Sequence, residues 1–298
     1  MGIVFALLSM LCFAGNIFIS RAAMSKMGAS IGFPVVLAVN ILFAALLFGI
    51  ERQVTHAPFL FNWKAAGWFT LSGVVGIYLG RRMLFESVHV LGPARASVLH
   101  TASPVVTLIV AWFLVGEHLG LYEFLLMALV MAGLLATQLP SGTAAPALGS
   151  DRAAFRRAMV LSALTVIGFG AGNAIRGLAI RDWNEAVFGA VLGSSAALLC
   201  QLAFESRIRT VVEGLRRGNR GAIVLYAASG VATVCGTIFS AMAMQRIEIA
   251  IATVLTYTTP VVVFPVSAFL YRNREALSLR TVAGAAMVLL GIALLALR

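Results

Sequence analysis

The chain has 298 residues, of which 61% are hydrophobic and 11% charged, with a mean hydropathy of +0.98. An average soluble domain is about 45–50% apolar and about 25% charged, and a soluble monomer does not tolerate the apolar patches that so few charges would leave exposed. That excludes an ordinary soluble enzyme, a disordered chain and a coiled coil. The net charge of +11 comes from 22 Lys and Arg against 11 Asp and Glu; because the basic residues fall in short gaps between apolar runs, they read as loop anchors of a membrane protein. No basic face or aromatic platform points to nucleic acid.

A membrane-crossing helix needs roughly 20 mostly apolar residues. Such runs occupy residues 3–24, 33–50, 65–85, 94–115, 122–139, 158–180, 186–204, 221–244, 249–271 and 281–297. They predict an all-α membrane protein with ten transmembrane helices. The first run has no Lys or Arg before it and exceeds a secretory h-region, so it is expected to be retained. Gaps such as 51–64 and 116–120 are too short for a soluble domain. The longest, 140–157, is rich in Ser, Gly, Ala and Pro and reads as a linker between a first unit (1–139) and a second (158–298). Sixteen of the 22 Lys and Arg fall after the odd-numbered runs, which by the positive-inside rule places those loops in the cytoplasm and both termini outside. Cys12, Cys200 and Cys235 lie inside apolar runs at spacings that form neither a disulfide framework nor a metal site.

An internal repeat decides the class. The first run carries Ala14-Gly15-Asn16 and the sixth Ala171-Gly172-Asn173. The fourth contains Ser97-Val98-Leu99-His100-Thr101-Ala102-Ser103-Pro104-Val105-Val106, and the ninth Thr253-Val254-Leu255-Thr256-Tyr257-Thr258-Thr259-Pro260-Val261-Val262. Asn16 to Pro104 is 88 positions and Asn173 to Pro260 is 87, so the two five-helix halves repeat in register. Five is odd, so the second half enters the membrane from the opposite side, and an inverted repeat around a central site is an architecture of secondary transporters.

These residues resemble the EamA-type drug/metabolite transporters over nearly the whole chain. The resemblance implies a bacterial inner-membrane carrier that exports neutral, chiefly aromatic, amino acids and has cytoplasmic termini. That last implication conflicts with the charge count.

Polar side chains within membrane helices face a cavity or another helix. Ser97, His100, Thr101 and Pro104 are spaced i, i+3, i+4, i+7 and share one face, as do Thr253, Thr256, Tyr257 and Pro260. Each proline frees the carbonyl four residues earlier, that of His100 or Thr256, and these carbonyls are expected to await a substrate ammonium or a water. The alternative is that the hydroxyls tie neighbouring helices and the prolines, as gating residues, only kink. Asn16 and Asn173 suit a zwitterion or an interhelical clamp equally. Tyr78, beside Gly73, Gly76 and Gly80, either stacks on an aromatic substrate or is a plain core or lipid-facing tyrosine. The spacings Gly76/Gly80, Gly168/Gly172 and Gly189/Gly193 permit close helix approach. His100 is a neutral wall residue or a proton carrier.

No Asp or Glu lies near the middle of any run, which argues against a proton-coupled antiporter of cationic drugs and for a facilitator. Arg81, Arg82 and Arg176 would suit a sugar-phosphate or nucleotide-sugar exchanger, but their places near run ends suggest snorkelling to the headgroups. A lipid flippase or non-transport scaffold would lack a closed polar cavity. The expected cavity is lined by runs 1, 3, 4, 6, 8 and 9, in a monomer surrounded by lipid, with no covalent chemistry, cofactor, metal or nucleic acid. Leu126 is expected to face lipid.

Overall fold

The computed structural model describes residues 1–56, 58–91, 99–138, 152–204, 213, 218–271 and 279–297, and among these all regular secondary structure is helical. In chain order the helices are α1 (Gly2–Met24), α2 (Ala29–Thr55), α3 (Trp63–Ser72), a π-helical stretch (Gly73–Gly80) and α4 (Arg81–Leu91). They continue with α5 (Ser103–Val115), α6 (Leu121–Gln138), α7 (Arg152–Asp182), α8 (Ala186–Phe204), α9 (Arg220–Met244), α10 (Ile249–Tyr257), α11 (Pro260–Tyr271) and α12 (Leu279–Ala296). The segments Gly2–Met24, Ala29–Thr55, Met159–Asp182, Ala186–Phe204, Arg220–Met244 and Ile249–Ser267 are each long and apolar enough to cross a bilayer. Ser103–Val115, Leu121–Thr137 and Arg280–Leu295 are shorter apolar helices. Most of the proposed linker, residues 140–151, lies outside the described residues.

The helix ends follow from local chemistry. Asn62 Oδ1 accepts from the Ala65 N–H (3.1 Å) and Asn219 Oδ1 from the Gly221 N–H (2.8 Å), capping α3 and α9. Gly116 ends α5 at φ +69°, in the left-handed region where a side chain is disfavoured.

Small residues then set how closely the helices pack. Gly73, Gly76 and Gly80 lie against α7 and α8. A Cβ on Gly172 would fall 2.5 Å from Gly76 Cα, and one on Gly168 would fall 3.0 Å from Gly80 Cα. The Ser72 hydroxyl donates to the Gly172 carbonyl at 2.8 Å. The glycine spacings noted in the sequence therefore mate with one another, backbone on backbone. The Phe69 ring covers Gly189 in the same way, and Gly133 of α6 meets Gly284 of α12. Elsewhere α1 runs along α9, and α2 packs on α8 and α9.

The outside of the bundle is apolar: Leu42, Leu46, Phe113, Leu125 and Leu289 are exposed, a surface that suits acyl chains and not water. Leu126 departs from expectation. It is only 6% exposed and belongs to the main core with Met127 and Val130, so the lipid-facing neighbour on that turn is Leu125. A helix apolar all round carries no periodic signal of which face is buried.

Candidate functional site

Two helices break at the matched prolines. Leu99 and His100 are helical, Thr101 and Ala102 form a turn, and α5 restarts at Ser103-Pro104; in the second half α10 ends at Tyr257, Thr258 and Thr259 form a turn, and α11 restarts at Pro260. Proline lacks an N–H and suits the first turn of a helix. The backbone bonds across the two breaks correspond: Ala102 N–H to Leu99 C=O (3.0 Å) and Val105 N–H to Ala102 C=O (3.0 Å), against Thr258 N–H to Leu255 C=O (3.2 Å) and Val261 N–H to Thr258 C=O (2.9 Å).

The carbonyls freed by the prolines are not left waiting. Ser103 Oγ donates to the His100 carbonyl at 2.8 Å, and Thr259 Oγ1 donates to the Thr256 carbonyl at 2.9 Å. The hydroxyl preceding each proline thus closes onto the group that the proline exposes. This corrects the expectation of two free acceptors, because a buried carbonyl without a partner is costly and a neighbouring hydroxyl removes that cost.

Around the first break a polar and aromatic centre assembles from five elements. The His100 ring lies 4.5 Å from the Phe169 ring of α7 and 5.4 Å from the Tyr257 ring of α10, centroid to centroid. Ser103 Oγ is 3.2 Å from His100 Nδ1, and the Tyr257 hydroxyl reaches both Ser103 and Asn173. Asn173 Oδ1 in turn accepts from Arg176 Nη1 at 3.2 Å. Arg81, the first residue of α4, lies near enough to His100 for their charges to interact and lays its guanidinium 4.8 Å from the centre of the Phe33 ring. The centre offers donors and acceptors between aromatic faces, an arrangement that can orient a small polar solute.

The remaining sequence candidates sit elsewhere. Asn16 Oδ1 accepts from Ser20 (3.0 Å) and from Ser229 of α9 (2.6 Å), so it fastens α1 to α9. Thr253 and Thr256 are buried, with their hydroxyls turned onto the Ile249 (2.7 Å) and Ala252 (2.9 Å) carbonyls of their own helix. Thr101 is buried at the turn. Tyr78 packs with Phe33, Leu37 and Ala197, and its hydroxyl accepts from Arg82 Nη1 at 2.8 Å. Ser97 lies outside the described residues.

Sequence reasoning passed over Ser103 and Phe169 and set Arg81 and Arg176 aside. For Arg176 there was a usable signal: it follows Asn173 by three positions, one face of a helix, where the first half has Ile19 after Asn16.

A cavity of about 10 Å³ opens beside Arg176, lined also by Phe69, Ser72, Gly73, Gly193 and Thr237. That is room for about one water molecule. Beyond it, one end of the bundle is tied shut. Arg52 pairs with Glu185 and stacks on Phe48 and Phe59, Lys64 pairs with Asp182 (3.1 Å), and Phe59, Phe61, Trp183 and Phe188 form an aromatic cluster. At the same end Glu117 caps α10, accepting from the Ile249 N–H (2.6 Å) and the Ala250 N–H (3.4 Å) while Arg181 Nη2 lies 2.6 Å from Oε1.

Long apolar helices, glycine-mediated packing and two broken helices meeting at a polar centre define a multi-pass membrane protein of the solute-carrier kind. The chain belongs to the EamA-like transporter family, whose profile matches residues 1–138 and again residues 156–297. A crystal structure of another protein, 15% identical, superposes with a TM-score of 0.74 over 98% of this chain and 96% of that one, which establishes the shared fold. No curated protein matches the sequence.

Proposed function

We propose that the protein is a secondary transporter that exports small neutral amino acids, chiefly aromatic ones, and related metabolites by alternating access. Its ten spans form two inverted five-helix halves in a bacterial inner membrane, and it works as a monomer among lipids without a cofactor. The observation that carries this reading is the pair of helix breaks, alike in backbone bonding and hydroxyl capping, with the first beside a centre of His100, Phe169 and Tyr257. Breaks at matched positions of a repeat are where half-helices of many carriers meet their cargo. Aromatic walls suit an aromatic side chain, and hydroxyl, amide and guanidinium groups suit an α-amino acid's head. Length and polar signature most resemble the bacterial exporter YddG.

The ion pairs and aromatic cluster at one end form the closed gate, and opening separates α2 and α3 from the turn between α7 and α8. With no carboxylate at the centre among the described residues, transport follows the substrate gradient. Counterflow of labelled phenylalanine into proteoliposomes, with and without a pH gradient, tests this. Saturable exchange indifferent to the gradient is expected; dependence on the gradient would make His100 a proton carrier, and absence of exchange from folded protein would overturn the cargo.

A further inference from the structure

We propose that Arg81 and Arg176 form an anion subsite at the centre, so that the carrier recognises its cargo by a carboxylate or phosphate group and rejects amines that lack one. This rests on the transporter reading above and adds the charge that a cargo must carry.

Position supports it first. Arg176 lies six residues before the end of α7, about 9 Å into the bundle. Helical side chains lean toward the N-terminus of their helix, and this one runs inward to Asn173 and Tyr257 instead of outward to headgroups. Arg81 lies ten residues before the end of α4, about 15 Å in, and is held on Phe33 within electrostatic reach of His100. Arg81 lies near the His100 end and Arg176 near the Tyr257 end of the ring contact between those two residues.

Charge supports it next. Among the described residues the ion pairs are Arg52–Glu185, Lys64–Asp182, Arg82–Glu86 and Arg181–Glu117. Neither Arg81 nor Arg176 takes part in any of them. Guanidinium stays protonated, and a cation within a membrane protein is costly unless an anion or a water-filled cavity meets it. Asn173 holds one edge of the Arg176 guanidinium, and Arg176 also lines the small cavity. The planar guanidinium fork matches a carboxylate or phosphate in a two-point contact. Phe33, Phe169 and Tyr257 flank the centre and provide apolar surface for the rest of an organic anion.

The test is competition against labelled phenylalanine in counterflow, using the full chain in proteoliposomes. Three probes separate the chemistry: 3-phenylpropionate carries the carboxylate without the amine, phenethylamine the amine without the carboxylate, and glucose 6-phosphate a phosphate. The expected result is that 3-phenylpropionate competes at least as well as unlabelled phenylalanine and phenethylamine at least about tenfold worse. Glucose 6-phosphate outcompeting 3-phenylpropionate would keep the subsite and assign it to phosphate. R176Q is expected to weaken 3-phenylpropionate about tenfold or more, and R176K less, because lysine keeps the charge and loses the fork.

A merely structural arginine predicts otherwise: R176Q would lower the unfolding temperature while the order of the competitors stayed the same. Equal competition by the acid and the amine in the wild type overturns the subsite without any variant needing to fold. Phenylalanine exchange untouched by both 3-phenylpropionate and glucose 6-phosphate overturns the subsite and leaves the transporter reading standing. If phenylalanine does not exchange, the cargo reading fails, and the subsite is judged by whether 3-phenylpropionate or inorganic phosphate raises the wild-type unfolding temperature; absence of any rise overturns it too.

Discussion

Replacing Glu117 separates two contributions that meet on one carboxylate. Its side chain is 4% exposed, it holds the first two amides of α10, and it receives Arg181. Glu117→Ala removes the helix cap, which contributes about 1 kcal/mol. It also removes a charge-assisted contact with Arg181, which contributes about 2 kcal/mol. For a chain of this size about 1 kcal/mol moves the midpoint by roughly 2–3 °C, so Glu117→Ala is expected to unfold about 6–9 °C below the wild type. Glu117→Gln keeps an oxygen for the Ile249 N–H and loses the charge, so it should fall by about two-thirds as much. Thermal unfolding in detergent, followed by helical circular dichroism, reads both. Arg181→Ala combined with Glu117→Ala completes a double-mutant cycle, and the double variant should lose less than the sum of the singles. A Glu117→Ala midpoint within a degree of the wild type would refute the assignment of this carboxylate, and equal losses for Ala and Gln would refute the charge contribution.

Ser103→Ala and Thr259→Val each uncover a buried carbonyl and should each cost about 1–2 kcal/mol; midpoints unchanged in both would show that the carbonyls find other partners. Ala at His100 or Tyr257 should reduce phenylalanine counterflow several-fold more than Ala at the lipid-facing Leu125, and equal effects would remove the centre from the transport path. Gly172→Ala drives a methyl to 2.5 Å from Gly76 Cα, an overpacking cost of about 1–3 kcal/mol. Gly67→Ala, which meets nothing within 4 Å, should be neutral or stabilising by up to about 1 kcal/mol in unfolding assays.

Much of this was legible because hydropathy and proline act locally. The apolar runs, the carbonyls freed by Pro104 and Pro260, and the close-packing glycines all follow from properties of short stretches, whereas full breaks in place of kinks at the two prolines did not. Direction was harder to read. Distance from the end of an apolar run gives the depth of Arg176 but not whether its side chain turns inward or outward, and it turns inward because Asn173 and Tyr257 await it. The carbonyls of His100 and Thr256 were correctly identified as freed, but their capping by Ser103 and Thr259 depends on a rotamer that the sequence does not state. Leu126 failed for the reason that an all-apolar helix has no polar face to orient it. The π-helical turn was invisible, because a glycine-rich apolar run looks the same in either winding.

That turn makes the scaffold polar in the geometric sense. Each residue advances an α-helix by about 100°, so a wider turn over Gly73–Gly80 sets α4 back around the axis relative to α3. α9, which follows α8 as the strand of α3, π turn and α4 follows α2, runs from Arg220 to Met244 as unbroken α-helix. The angular offset just before Arg81 thus has no counterpart in α9. The two halves that match one family profile therefore differ in winding as well as in side chains at the element that carries Arg81.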